Sequence, residues 1–117
     1  MELRADSTSN RSVLVGRVIE REPLRYTPAG IPIVRARLAH ESKRVEAGAA
    51  REVRIEIDCV AVETLARLLA SAPIGATVEA SGFLAAKSKM SRTLVLHIEQ
   101  LQFLAASDDA GEQIDSV

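Results

Sequence analysis

Alternation of apolar and polar residues runs through most of this chain, and that period of two is typical of strands with one buried face. A central glycine interrupts the first stretch, VLVGRVIE, and such a glycine indicates a bulge or a sharp bend. A strand bent in this way can serve two sheets of a closed barrel. The pattern predicts five strands: residues 13–20, 33–40, 51–59, 77–86 and 93–104.

The phase of the alternation predicts which side chains face the core. In the second strand Val34, Ala36 and Leu38 share the inward face, so Arg35 and Arg37 point outward together. The fifth strand shifts phase near its end, as a bulge would require. The inward-facing residues are predicted to be Val53, Ile55, Ile57 and Cys59 in the third strand, and Val78, Ala80, Gly82 and Leu84 in the fourth strand.

A single helix is predicted between the third and fourth strands. Residues 62–71 (VETLARLLAS) carry an apolar stripe at helical spacing, formed by Val62, Leu65, Leu68 and Leu69. The segment HESKRVEAGAARE is charged and contains a glycine, so we expect a solvent-exposed loop between the second and third strands. The order of elements predicts an all-β protein with a five-stranded Greek-key barrel, the OB-fold, whose outer face binds oligonucleotides or oligosaccharides. A five-stranded barrel of another kind is the alternative.

Charge is unevenly placed along the 117 residues. The formal net charge is -1, but residues 10–106 hold 14 lysines and arginines against 10 acidic residues. We therefore predict a disordered lead over residues 1–10, one domain over residues 11–105 and an acidic mobile tail over residues 106–117. The single cysteine cannot form an internal disulfide, no cysteine and histidine residues have zinc spacing, and no apolar run has the length of a membrane span. These features favour a cytoplasmic protein without a metal or other cofactor.

The most basic stretch lies between the fourth and fifth strands. In KSKMSR, residues 87–92, three cations occur within six residues, and we call this segment the basic loop. Cations at several points along a groove suit the regular phosphates of a single strand. The candidate DNA-binding residues are Lys87, Lys89 and Arg92 of the basic loop, with Arg35, Arg37, Arg51 and Arg54 as a stripe on the second and third strands. Lys43 and Arg44 stand beside Glu41 and Glu46, so solvation is the expected role there.

Several segments resemble primosomal replication protein N, the PriB family of bacterial replication-restart proteins, which is related to single-stranded DNA-binding protein. The resemblance covers roughly residues 10–105 and is carried by PAGIP with LAH downstream, and by GFLAAKSK followed by LVLHIEQ. It implies a homodimer of OB-folds that binds single-stranded DNA without sequence preference and joins the restart helicase and other primosome proteins. It also matches Lys87 and Lys89 to the family's basic loop.

Aromatic residues depart from the family pattern. Family members that stack bases carry a Trp and a Phe where this chain has Arg54 and Ala49. Phe83 has the outward parity, so it could stack on a base, pack in the core or contact a second subunit. Tyr26, in the loop after the first strand, is open to the same alternatives.

Two other functions compete with a DNA-binding accessory protein of the primosome. One is a protein-interaction adaptor that docks the helicase with weak DNA binding, and the other is a general single-stranded DNA-binding protein. Catalysis is not expected, because His40, His97, Asp58, Cys59 and Ser81 are scattered and suggest no nucleophile with its base. The two histidines are expected to be hydrogen-bonded structural residues.

Overall fold

Six strands and one short helix follow one another in the computed structural model, which describes residues 8–105. The elements are β1 (Ser12–Arg21), β2 (Arg25–Tyr26), β3 (Pro32–Glu46), β4 (Ala49–Val62), α1 (Thr64–Ala70), β5 (Thr77–Ala86) and β6 (Leu94–Phe103). The predicted five strands correspond to β1, β3, β4, β5 and β6. Strand β2 adds a two-residue pairing with β3 that the sequence pattern did not predict. No helix in the described part is long and apolar enough to cross a membrane.

The barrel closes through strand β1, which pairs with two different strands. Its first half lies antiparallel to β5, with Ser12 opposite Gly82, and its second half lies antiparallel to β3, with Arg17 opposite Ala39. A short parallel pairing between β4 and β6 completes the barrel. The OB-fold prediction of five strands with one helix between the third and fourth is confirmed.

Gly16 lies where β1 passes from one partner strand to the other. A Cβ at this position would come within 2.9 Å of the Ala39 carbonyl oxygen, so only glycine allows the two backbones to approach. The role predicted for this glycine, a bend in a strand that serves two sheets, is therefore confirmed.

Aliphatic side chains fill the barrel. Leu38, Leu69 and Leu96 are the largest of the fully buried residues, and Val34 and Ala36 lie with Leu38 on the inward face of β3, as the alternation predicted. The predicted phase shift of the last strand is also present, since Gly82 lies opposite Ile98 whereas Ser81 lies opposite Gln100. The extra residue in β6 bends the strand and tightens the barrel.

The prediction of a loop between the second and third strands is wrong, because most of that segment is strand. Strands β3 and β4 continue as a ladder to the pair Glu46 and Ala49, and a two-residue turn, Ala47 and Gly48, joins them. Both turn residues have positive φ, 51° and 77°, which is the backbone of a type I′ hairpin turn. We call the part of this hairpin formed by residues 40–55 the arm. Ile55 lies on the arm and is 42% exposed, so its predicted inward position is also wrong.

The helix is shorter than predicted. It spans Thr64–Ala70 and buries Ala66 and Leu69, whereas Val62 is the last residue of β4 and Leu68 faces solvent. Strand β4 keeps its extended backbone through Val62 because it pairs with Ile33 there. The predicted apolar stripe therefore combined residues of two elements.

The predicted domain limits stay predictions at both ends. Residues 1–7 and 106–117 lie outside the described residues, so the acidic tail and most of the lead are not described. Asn10, the last residue of the predicted lead, is hydrogen-bonded to strand β5 of the barrel. Its side-chain amide nitrogen donates to the Leu84 carbonyl oxygen at 2.9 Å, and its amide oxygen accepts from the Leu84 N–H at 3.0 Å.

Candidate nucleic-acid interface

The basic loop connects β5 to β6 and is closed by its own backbone. The Lys87 N–H donates to the Thr93 carbonyl oxygen at 2.8 Å, and the Ser91 N–H donates to the Ser88 carbonyl oxygen at 3.1 Å. The Ser91 hydroxyl then accepts from the Thr93 N–H at 3.0 Å. These bonds hold the loop in a compact turn, so its cations project from a fixed base.

Lys87, Lys89 and Arg92 are all exposed on this loop. None of them forms an ion pair with another residue among 8–105. An unpaired surface cation keeps its full charge available to a phosphate, whereas a paired one must first lose its carboxylate partner. The loop therefore presents three free charges on a short stretch of chain.

Arg35 joins the basic loop on the outer face of the barrel. The side chains of Arg35, Arg37 and Lys87 line one cleft, beside Glu20 and Asp58. Arg35 is exposed and forms no ion pair within the described part of the chain. The fold thus brings together cations that are 52 positions apart in the sequence.

Arg37 lies in the same cleft but is held by three carboxylates. Its guanidinium nitrogens lie 3.0 Å from the Asp58 carboxylate, 3.7 Å from that of Glu20 and 3.8 Å from that of Glu56. Asp58 is opposite Arg37 in the β3–β4 ladder, and Glu20 is opposite it in the β1–β3 ladder. Its charge is therefore already balanced by the protein.

Arg51 and Arg54 lie on the arm, away from the cleft. Positions three apart on a strand face opposite sides, so only Arg54 shares the outer face with Arg35 and Arg37. Arg51 lies 3.4 Å from the Glu46 carboxylate, and Arg54 lies 3.5 Å from that of Glu52. The four arginines do not form one stripe, and their predicted contact with DNA stays a prediction.

The arm also carries two cations that the sequence pattern assigned to a solvated loop. Lys43 and Arg44 lie on β3, are exposed and have no ion-pair partner among residues 8–105. They face opposite sides of the arm because they are adjacent on a strand. Ala47-Gly48 lacks the Asn or Asp that usually precedes Gly in a hairpin turn, and the lack of apolar alternation around it concealed the strands.

Phe83 and His97 form a stacked pair on the outer face. They are opposite each other in the β5–β6 ladder, with ring centroids 4.8 Å apart and ring planes 6° from parallel. The sequence pattern predicted the outward position of Phe83, which is confirmed, but not its partner. His97 has the same parity on the neighbouring strand, and only the register of the two strands brings the rings together.

His40 is a structural residue, as its position on a strand predicted. Its Nδ1–H donates to the Val15 carbonyl oxygen at 2.7 Å, and its Nε2 lies 2.9 Å from the Ser42 hydroxyl oxygen. The carbonyl can only accept, so Nδ1 carries the proton. The ring therefore links the start of the arm to β1.

Cys59 is buried in the barrel, as its inward parity predicted. Burial, and to a smaller extent the negative charge of Asp58, raise the pKa of its thiol to about 12, although a hydrogen bond with the Ala36 backbone partly opposes both effects. The thiol is therefore protonated at neutral pH and is not a nucleophile. Within residues 8–105, no group of three or more His, Cys, Asp or Glu residues could hold a metal ion.

Comparison with known proteins assigns this barrel to a family. Residues 10–100 match the model of a family described as "Another single-strand binding protein family". The chain is 43% identical over 98 residues to the replication restart protein PriB of Bordetella pertussis, an alignment that covers 84% of this chain and 92% of the relative. It is 33% identical over 95 residues to PriB of Nitrosomonas europaea, covering 81% and 88% of the two chains.

Solved structures give the same assignment. The PriB structure from Ralstonia solanacearum superimposes with a TM-score of 0.76 at 38% identity, covering 84% of this chain and 100% of that one. A small single-stranded DNA-binding protein from Streptomyces coelicolor shares the fold, with a TM-score of 0.67 at 21% identity over 86% of this chain and 97% of that one. The resemblance seen in the sequence is thus confirmed, and the chain belongs to the PriB family of replication restart proteins.

Proposed function

We propose that this protein binds single-stranded DNA without sequence preference, as an accessory protein of replication restart in the cytoplasm. The main contacts are Lys87, Lys89 and Arg92 of the basic loop, together with Arg35 in the adjoining cleft. The observation that supports this assignment is that all four cations are exposed and unpaired within residues 8–105. Arg37, Arg51 and Arg54 contribute less, because carboxylates already neutralise them.

In this proposal the bound protein is a homodimer and bridges the DNA to the restart helicase and other primosome proteins. Membership of the PriB family supports the restart role. Residues 12–16 of β1 support the dimer, since they pair with β5 on one side only while pairing with β3 begins at Arg17. A strand edge of this kind can pair with a second chain. No step of this role requires catalysis or a cofactor.

Oligo-dT binding at a series of salt concentrations tests the DNA-binding role. The logarithm of the association constant should fall linearly with the logarithm of salt concentration, with a slope of about -0.7 for each phosphate contacted on a single strand. The double variant Lys87→Ala and Lys89→Ala should bind about fivefold or more weakly at low salt. Its slope should be shallower by about 0.7 for each phosphate that it no longer neutralises.

Arg67→Ala is the matched control for these variants. Arg67 is an exposed cation in the last turn of α1 without an ion-pair partner in the described region, so its loss changes the net charge but not the proposed site. Its affinity and salt slope should equal those of the wild type. If the double variant behaves like this control, the basic loop is not the DNA-binding site.

A protein-interaction adaptor is the second candidate function. The ion pairs of Arg37, Arg51 and Arg54 favour it, because carboxylates already neutralise three of the seven cations that the sequence assigned to DNA binding. The family's base-stacking positions are occupied by Arg54 and Ala49, which weakens DNA binding further. A tight complex with the restart helicase, measured alongside negligible oligo-dT binding, would select the adaptor over the DNA-binding protein.

A further inference from the structure

The stacked pair of Phe83 and His97 is partly exposed to solvent. A ring has two faces, and His97 covers one face of Phe83 in a nearly parallel stack. Phe83 is nevertheless 36% exposed, so part of the ring surface that His97 does not cover is open to solvent. Such a ring is held in place by its partner and still offers a flat apolar surface to a third ring.

The pair belongs to a row that runs across the outer face of the sheet. Arg35 on β3 lies opposite Val60 on β4, Val60 is in register with His97 on β6, and His97 lies opposite Phe83 on β5. Neighbouring strands are about 4.8 Å apart, which places Arg35 and Phe83 at the two ends of a row of roughly 14 Å. An unpaired cation thus stands on the same face as the aromatic pair.

The basic loop continues from the same face. Phe83 and Ala85 on β5 and Lys87, just after its end, alternate in phase and therefore face the same side of the sheet. Lys87 lies four positions after Phe83, about 13 Å along the strand direction. Lys87 also lines the cleft that contains Arg35. The aromatic pair therefore lies on the surface bounded by two of the free cations assigned to phosphate binding.

Single-stranded DNA offers two kinds of group to such a surface. Its phosphates bind cations, and its unpaired bases stack on aromatic rings with little dependence on sequence, because every base has a π-face. The other aromatic residues are less suited to this role. Tyr26 lies on the two-residue strand β2, and Phe103 lies at the far end of β6 opposite Val78; in the described region neither is part of a ring stack.

We propose that the stacked rings of Phe83 and His97 are a platform for an unpaired nucleobase of bound single-stranded DNA. The inference rests on the proposed DNA-binding function and adds a base contact to it. It gives this chain a stacking site on β5 and β6, away from the positions of Arg54 and Ala49 on the arm.

A tryptophan at position 83 provides a direct test. The natural chain contains no Trp, so Phe83→Trp introduces one fluorophore at the platform. Oligo-dT should quench its fluorescence when it binds, because a base stacks on the indole. An abasic oligonucleotide of the same length carries the phosphates without bases, and at saturating concentration it should bind without that quenching.

Removing the ring tests the same site by affinity. Phe83→Leu keeps an apolar side chain but has no π-face, and its affinity for oligo-dT should fall about fivefold or more. Its salt slope should equal that of the wild type, since the cations that bind phosphates are all retained. Its affinity for the abasic oligonucleotide should also be unchanged. Phe103→Leu is the control, because Phe103 is similarly exposed at 39% and lies outside the row.

The possible results separate this proposal from the function on which it rests. Equal oligo-dT affinities for Phe83→Leu and Phe103→Leu, with a normal wild-type affinity, would overturn the platform alone. A loss of affinity by Phe83→Leu for both oligonucleotides would show a packing role and would also overturn it. A loss of self-association by Phe83→Leu with unchanged oligo-dT binding would assign the rings to a subunit contact. Negligible oligo-dT binding by the wild type would overturn both proposals.

Discussion

Arg35 and Arg37 lie two residues apart on the same face of β3, yet their surroundings differ. Arg37 contacts the carboxylates of Asp58, Glu20 and Glu56, while Arg35 has no acidic partner among residues 8–105. A phosphate that approaches Arg37 must compete with these carboxylates and is repelled by them. The two arginines therefore differ in the charge that they offer to DNA.

Arg35→Ala should weaken oligo-dT binding about threefold or more and should make the salt slope shallower by about 0.7, the value for one phosphate contact. Arg37→Ala should change the affinity by less than about twofold, because Arg37 already contacts three carboxylates and makes no phosphate contact in the proposed site. Binding titrations of both variants at several salt concentrations measure the difference. Equal losses in the two variants would mean that the carboxylates do not reduce the charge available at Arg37.

The sequence predicted the orientation of these arginines but not their pairing. Alternation along β3 is a local property, and it correctly placed Arg35 and Arg37 away from the core. The partners of Arg37 come from β1 and β4, and only the registers of two ladders bring them within reach. The register of paired strands depends on turn geometry and on the whole barrel. The ion pairs that set the free charge at a site are therefore harder to predict than the face of the sheet on which a residue lies.

At the scale of elements, the arm shows how a strand pair can escape prediction. Its strands carry charged residues on both faces because residues 40–55 extend beyond the pairings of β3 with β1 and of β4 with β6. Neither face of the arm covers the core, so neither has to be continuously apolar. The turn was equally hidden, since Ala47 occupies a left-handed position where Asn is the usual residue.

Ala47→Asn should stabilise the arm by about 0.5 to 1 kcal/mol, because Asn adopts positive φ more readily than Ala and Asn-Gly favours the type I′ turn. Amide hydrogen exchange of the arm should slow accordingly, since the arm opens less often. Ala50→Asn is the matched control within β4, where Asn is disfavoured, and its exchange should be faster. Faster exchange of the arm in Ala47→Asn than in the wild type would contradict this prediction, and it would show that the arm opens from a turn conformation other than the one described.

At the scale of the whole molecule, the order of the strands was predictable because each strand and helix has a local sequence pattern. Closure of the barrel depends instead on contacts between strands that are distant in the sequence. Strand β1 meets both β5 and β3, and β4 meets β6 in parallel. These pairings leave the first half of β1 without a strand partner on its β3 side within residues 8–105, where the Val15 carbonyl oxygen accepts a hydrogen bond from His40. Val13 and Val15, on that half of the strand, are 49% and 41% exposed.

A homodimer that pairs the two β1 edges across a two-fold axis would cover this region and align two basic loops for one DNA strand. Sedimentation of the wild type at micromolar concentration should give twice the mass of a single chain. The double variant Val13→Lys and Val15→Lys should sediment as a folded monomer, because opposed lysines repel across the axis. Val45→Lys, at an exposed position on the arm, should remain dimeric. A wild-type protein that is monomeric at micromolar concentration would contradict the dimer, and a dimeric double variant would place the interface elsewhere on the barrel.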